Sequence, residues 1–312
     1  MKLDEKITLS DGDLDVVTMG ELLIDFISTE YVEELKSATH FKKVFGGSPG
    51  NIAVNLSGMG FKTAVIGSVG KDQFGDYINE FLESRHVNIQ GLQRVEQATS
   101  IIFVTKSKDN PKYMPVRKAD YCLVDESVNY QLVERCKIFH FTAWALSMPE
   151  IRTVTMSLLN YARSLDKLIT FDPNYRQDLW EKNHDGAEWI RKFVMPLVDI
   201  IKPSEVDAKN IWDIKDSIEE QLTNISNDED IMIVFTKGEK GLTAYSGGES
   251  VCLPSSASTV VDTTGAGDAF WAGFMASILK GNKTHDALKH GSQSAGYKLG
   301  FIGAISDLPL PI

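Results

Sequence analysis

Short apolar runs alternate with longer stretches of helical periodicity along the chain, and this rhythm narrows the possible folds more than any other feature. Asp15–Gly20, Thr63–Gly70, Lys137–Leu146, Leu168–Asn174, Val198–Ser204 and Asp230–Gly238 read as buried strands ending in turn residues. Between them, Pro49–Met59, Gly75–Arg85, Glu150–Leu165, Ala187–Met195 and Ile218–Ile225 carry helical spacing. Strand, helix, strand in repetition predicts an α/β fold, a doubly wound and mostly parallel sheet flanked by helices. In such sheets ligands collect at the C-terminal strand ends, where the polar residues of these runs stand. Leu22–Phe45 and Thr99–Leu123 break the rhythm. They alternate like strands (Ile24, Phe26; Ile101, Phe103) without a long helix between, and the second includes the turn-prone Asp109-Asn110-Pro111. They predict a small β lid over about 22–45 and 99–123. With no repeat, low-complexity tract or linker, the expectation is one domain over 1–312.

The 312 residues are 43% hydrophobic and 24% charged, enough for a large core without metal or disulfide staples. Lys and Arg number 32 against 43 Asp and Glu, a net charge of -11 that repels polyanions and argues against nucleic acid as a partner. A small phosphate-bearing ligand stays open, because a local nest of backbone amides can outweigh a distant field. Cys122, Cys136 and Cys252 form no CxxC pair, and His40, His86, His140, His184, His285 and His290 show no metal-ligand spacing. The first residues, MKLDEKITLSDGDLD, are acidic where a signal peptide needs an apolar core, and no apolar run approaches about 18 residues. A soluble, cytoplasmic protein with no membrane partner is the expectation.

Val260–Phe270 (VVDTTGAGDAF) is the strongest local signal. An apolar strand end passes through Gly265-Ala266-Gly267 into a helix predicted over Asp268–Lys280. Small residues let the backbone approach a ligand closely, and the unpaired amides of a helix start carry about half a positive charge, so the turn reads as an anion hole. A carboxylate there opposes anion binding unless it removes a proton from a hydroxyl attacking a bound phosphate. On the residues alone, Asp268 reads equally well as a helix cap. A second signal is Phe45–Asn55 (FGGSPGNIAVN), where Gly46 and Gly47 precede a helix with Pro49 at its start. Asn51 offers a donor and an acceptor on the first turn, which suits a polyhydroxylated ligand. Neither GxGxxG after a strand nor GxxxxGK[ST] is present there.

GGSPGN (Gly46–Asn51) and DTTGAGD (Asp262–Asp268) resemble the two signatures of the ribokinase-like (PfkB) sugar kinase family. The resemblance extends through GELLIDF at Gly20–Phe26, FDPNYR at Phe171–Arg176, KPSEVD at Lys202–Asp207, TKGEKG at Thr236–Gly241 and GAISDLP at Gly303–Pro309, all in order. It implies an ATP-dependent sugar kinase. Asp268 then matches the general base, and Gly265, Ala266 and Gly267 the anion hole for the transferring phosphoryl group. Asp25, Gly46, Gly47 and Asn51 match sugar-binding positions, and Thr236, Gly238, Gly241 and Ser204 fall on the nucleotide side. The resemblance implies that Mg2+ arrives with ATP and is organised through water near Asp207, where Ser204 and Asp207 replace the family's Asn and Glu with shorter reach. It also implies a monovalent cation, usually K+, at Asp262 and Thr264.

FDPNYR is similar to the fructokinase and 2-keto-3-deoxygluconate kinase branch, which implies that Asp172 and Arg176 face the phosphates, Arg176 as a bidentate contact. Turn chemistry around Pro173 is the alternative for Asp172. Arg117, in the lid, is the cation expected for a keto acid's carboxylate. Fructose is the first expected substrate, 2-keto-3-deoxygluconate the second, and ribose or a nucleoside the third. A catalytically silent sugar sensor is the non-enzyme alternative, and the intact GAGD turn speaks against it. The family also implies a homodimer through the lid, whose edges otherwise carry unpaired backbone.

Overall fold

The computed structural model describes residues 1–106, 112–182 and 185–311, so the turn at Asp109–Pro111 and His184 lie outside the described residues. Nine strands form one sheet in the order Glu249–Leu253, Leu242–Ser246, Met232–Thr236, Ile200–Ile201, Leu168–Asp172, Cys136–Thr142, Leu14–Met19, Thr63–Gly70, Asn88–Val95. Its pairs are parallel except at the Leu242–Ser246 and Glu249–Leu253 edge, which is antiparallel. Alternation within a strand sends neighbours to opposite faces. Phe139, Ile169 and Ile201 join one apolar cluster, whereas Ile138, Leu168 and Ile200 join another with Phe270, Trp271 and Phe274 of helix Ala266–Leu279. Burial on both faces is what near-continuous apolar strands require.

Three expected elements end differently. The Lys137–Leu146 run is a strand only to Thr142, after which Ala143–Leu146 tightens into a 3-10 turn. Val198–Ser204 contributes only Ile200–Ile201 to the sheet, because Pro203 offers no amide and helix Glu205–Trp212 follows. Ala187–Met195 is one helical turn at Gly186–Trp189, a π-helical stretch at Ile190–Val194 and a 3-10 turn at Met195–Leu197. Helices Ser127–Arg135 and Thr284–Lys298 and strands Asn88–Val95, Leu242–Ser246 and Glu249–Leu253 go beyond the elements read from sequence.

From strand Leu14–Met19 the sheet grows in one direction through Thr63–Gly70 and in the other through Cys136–Thr142. The crevice at that reversal is where doubly wound sheets bind ligands. A second sheet of four strands, in the order Phe41–Gly46, Leu23–Tyr31, Ile101–Lys106, Tyr113–Val116, rises beside it. Register places Phe26, Lys43, Phe103 and Met114 in one row and Asp25, Val44, Ile102 and Pro115 in the next. Phe26 stacks on Phe103 and meets Phe74 edge-on, so its face packs on helix Gln73–Ser84. Asp25 is left on the other face. Among the described residues, no helix is long and apolar enough to cross a membrane.

Candidate active site

The two glycine-rich segments meet across the fold. Helix Ser48–Gly58 starts after Gly47, whose φ of 104° and 2.2 Å separation between an added Cβ and the Glu21 carbonyl exclude any larger residue. From its first turn Ser48 Oγ donates to Asp268 Oδ1 at 2.7 Å, and Asn51 Nδ2 donates to Asp268 Oδ2 at 2.8 Å. Asp268 therefore does not cap its own helix. Gly265 is the N-cap of Ala266–Leu279, with φ 75° and no capping side chain, so the amides of Gly267 and Asp268 point out of the helix start. Burial pushes the Asp268 pKa up, and the bonds from Ser48 and Asn51 pull it back. A fixed carboxylate with spare lone pairs, beside outward amides, can take a proton from a hydroxyl while the amides hold an anion.

Lys202, quoted above only as part of KPSEVD, belongs to this centre. Its ammonium pairs with Asp172 Oδ2 at 3.0 Å and stands 3.3 Å from the position of a Cβ built on Gly267. Asp172 also accepts from Trp271 Nε1 at 2.9 Å. Burial raises the Asp172 pKa, and Lys202 opposes the rise. A cation only 5% exposed thus faces the outward amides of the glycine turn. The adjoining network runs through Trp271 to His140, whose Nδ1 meets Thr170 Oγ1 at 2.9 Å and whose pKa burial lowers to about 3, so that ring is neutral.

Two more carboxylates converge on Asp268. Glu21, at the sheet's reversal point, accepts from the Ser48 amide at 3.1 Å and from Thr142 Oγ1 at 3.0 Å, tying strand Cys136–Thr142 to the turn that aims Ser48. Burial pushes its pKa up to about 7, with the Asp268 charge adding to the rise. Asp25 rises to about 7 for the same two reasons, and Gly46 makes room for it, since a Cβ there would stand 2.5 Å from Asp25 Oδ2. The Asp25 carboxylate accepts no hydrogen bond among the described residues, and Asn51 Oδ1 is buried without a partner. Open acceptors around the Asp268 carboxylate suit a ligand rich in hydroxyls.

A raised Glu21 pKa costs stability only where the unfolded chain has already lost the proton. The penalty is absent below the ordinary 4.5, grows as pH rises, and is complete above about 7. Glu21→Gln keeps an oxygen that accepts from the Ser48 amide and turns the other contact around, its amide donating to Thr142 Oγ1, so it stabilises the protein by up to about 3 kcal/mol at pH 8 and by nothing near pH 4.5. Urea denaturation at the two pH values measures this. An equal effect at both would show that folding does not raise the Glu21 pKa.

Arg176 lies with its guanidinium 4.5 Å from the ring centroid of Tyr113, on the small sheet, so its contact is to that sheet rather than to the glycine turn. Arg117 departs from expectation. Its Nε donates to Asp120 Oδ2 at 2.8 Å, Nη1 donates to Ser147 Oγ at 2.6 Å, and the guanidinium lies 4.5 Å over Trp144. Asp120, fully buried, already neutralises it, which leaves no free cation for a carboxylate. Thr236 ends strand Met232–Thr236, with its amide bonded to the Pro203 carbonyl at 3.0 Å. Gly238 (φ 56°) and Gly241 (φ 83°) shape the turn after it.

Residues 13–311 match the pfkB family carbohydrate kinase description. The chain belongs to that family. Among the relatives of this PfkB chain, an ATP-dependent 6-phosphofructokinase of Thermoanaerobacterium thermosaccharolyticum is 39% identical, covering 98% of this chain and 94% of the relative. The structure of Halothermothrix orenii fructokinase superposes with TM-score 0.78 at 34% identity, over 94% of this chain and all of that one. A Pyrococcus horikoshii sugar kinase solved with ATP gives TM-score 0.82 at 30% identity, over 95% of each chain.

The two ion sites implied by the PfkB resemblance do not fit these residues. Asp207, expected near magnesium, has turned back: Oδ1 accepts from the Tyr175 amide at 2.7 Å, and Oδ2 accepts from the Ser204 amide at 2.9 Å and its hydroxyl at 2.6 Å. With the Asp207 amide donating to Ser204 Oγ at 3.2 Å, this is a capping box for helix Glu205–Trp212. Ser204 is likewise its N-cap rather than a free nucleotide ligand. At the monovalent-cation position, Asp262 Oδ1 accepts from the Thr264 amide at 2.9 Å and Oδ2 from the Gly303 amide at 2.8 Å, while the Thr264 side chain is exposed. These amide bonds outweigh burial and lower the Asp262 pKa. Among the described residues, no group of acidic, His or Cys side chains could hold a metal.

Proposed function

We propose that this chain transfers the γ-phosphate of ATP to a hydroxyl of fructose. The observation that carries the reading is the Asp268 carboxylate, fixed by Ser48 and Asn51 beside the outward amides of Gly267 and Asp268 and the Lys202 ammonium. Asp268 takes the hydroxyl proton, and the amides and Lys202 balance charge on the transferring phosphoryl group. Asp25 and Asn51 Oδ1 accept from the other hydroxyls, and Gly238 and Gly241 open the turn that borders the nucleotide. Mg2+ enters with ATP rather than on a ligand set of this chain. The small sheet serves as the lid, excluding water that would compete as acceptor. The fructokinase neighbour supports the choice of sugar, and the ATP-bound relative supports the choice of donor.

A keto acid loses its support, because Arg117 is spent on Asp120. Fructose 6-phosphate is the second reading, favoured by the 39% identical phosphofructokinase, with Arg176 as the cation that would meet the added phosphate. An ADP-release assay with fructose, fructose 6-phosphate and ketodeoxygluconate tests the proposal. ADP release with fructose is the expected result. Release with fructose 6-phosphate alone moves the reading to the phosphorylated sugar, and release with none of the three overturns it.

A further inference from the structure

We infer that the side chain of Lys298 is the built-in cation of the phosphate-binding turn, so that this enzyme works without potassium. Lys298 closes helix Thr284–Lys298 and is 0% exposed. Its Nζ donates to the Asp262 carbonyl at 2.8 Å, and the carboxylates of Asp262 and Asp268 both act on it. Alkali cations are held by cages of backbone and carboxylate oxygens. Here the Asp262 carbonyl is taken by an ammonium, and the Asp262 carboxylate is taken by the amides of Thr264 and Gly303. A second cation at those oxygens would also stand against a like charge in a buried place, where repulsion is strong.

The position of Lys298 lets it act on the turn. The Val261 amide bonds to the Leu299 carbonyl at 2.7 Å, just past the helix end, and the Asp262 amide bonds to the same carbonyl at 3.3 Å. Downstream, Gly265 lies so close to Ala304 that an added Cβ would come within 2.5 Å of its Cα. The segment running into Gly265–Gly267 is therefore clasped between the end of one helix and the loop that follows it. The ammonium is the charge inside that clasp. Removing it leaves a partly buried carbonyl without this donor and loosens the approach to the anion hole.

The inference rests on the proposed role of Gly265–Gly267 in receiving nucleotide phosphate, and its test reads nucleotide binding rather than sugar turnover, so failure with every sugar leaves it intact. ADP affinity and melting temperature are measured in chloride salts of potassium, sodium and tetramethylammonium at equal ionic strength. For the wild-type protein both stay the same in all three salts. Lys298→Ala weakens ADP binding by about tenfold in tetramethylammonium, the loss expected for one charge-assisted hydrogen bond, and potassium restores part of it. ADP binding by the wild-type protein that tightens several-fold in potassium but not in tetramethylammonium overturns the inference. That arm needs no variant, so it decides even if Lys298→Ala fails to fold.

Discussion

Asp268→Asn lowers turnover by roughly 10²- to 10⁴-fold and leaves ADP and sugar affinity within a few-fold of wild type. The expectation follows from how little else the substitution changes. Asn keeps the size of the side chain and an oxygen that accepts from Ser48, and its amide can turn the Asn51 contact around, because Asn51 Oδ1 is an unpartnered acceptor. What it cannot do is hold a proton taken from an alcohol. The helix start also keeps its conformation, since Gly265 rather than residue 268 is the N-cap. Single-turnover phosphate transfer alongside equilibrium binding separates the two roles. A variant with near-normal turnover would make Asp268 an ornament of the helix, and a variant that loses binding in step with turnover would make it a structural pin.

Lys202→Met has the second largest effect and acts on two properties at once. Removing one fixed donor aimed at developing negative charge costs about 10²- to 10³-fold in turnover. It also leaves Asp172 buried with only the Trp271 bond, and stripping one partner from a buried ion pair costs about 3–5 kcal/mol. Adding Asp172→Asn tells the two losses apart. The double variant buries no uncompensated charge, so its urea midpoint returns most of the way to wild type while turnover stays low. Recovery of activity together with stability would mean that Lys202 serves only to neutralise Asp172. Unchanged turnover in the single variant would remove it from the centre altogether.

The parallel sheet was legible because its strands are nearly unbroken apolar runs, and Thr63–Gly70 was read to the residue. Runs that continue apolar past the sheet, such as FTAWAL, hide the point where the backbone tightens at Ala143, since a buried strand and a buried turn have the same composition. Asp268 and its glycine turn were readable because helix-start chemistry is local. Lys202 and Glu21 were not, because their partners lie far away in sequence: Gly267 for one, Ser48 and Thr142 for the other. Two further signals stand in the sequence. Ser204-Glu205-Val206-Asp207 is itself a capping-box pattern, and Arg117 with Asp120 stands at a pairing distance of three residues.

The bond between Ser48 and Asp268 joins positions 220 residues apart. Closing so long a loop is entropically late and slow compared with forming either neighbouring helix turn. During synthesis, a chain with its amino-terminal half already folded still lacks Asp268, the glycine turn and the clasp that steadies it. A site assembled from both ends of the chain therefore waits for the last helices to dock, and a nascent fragment without Asp268 cannot spend nucleotide on the ribosome.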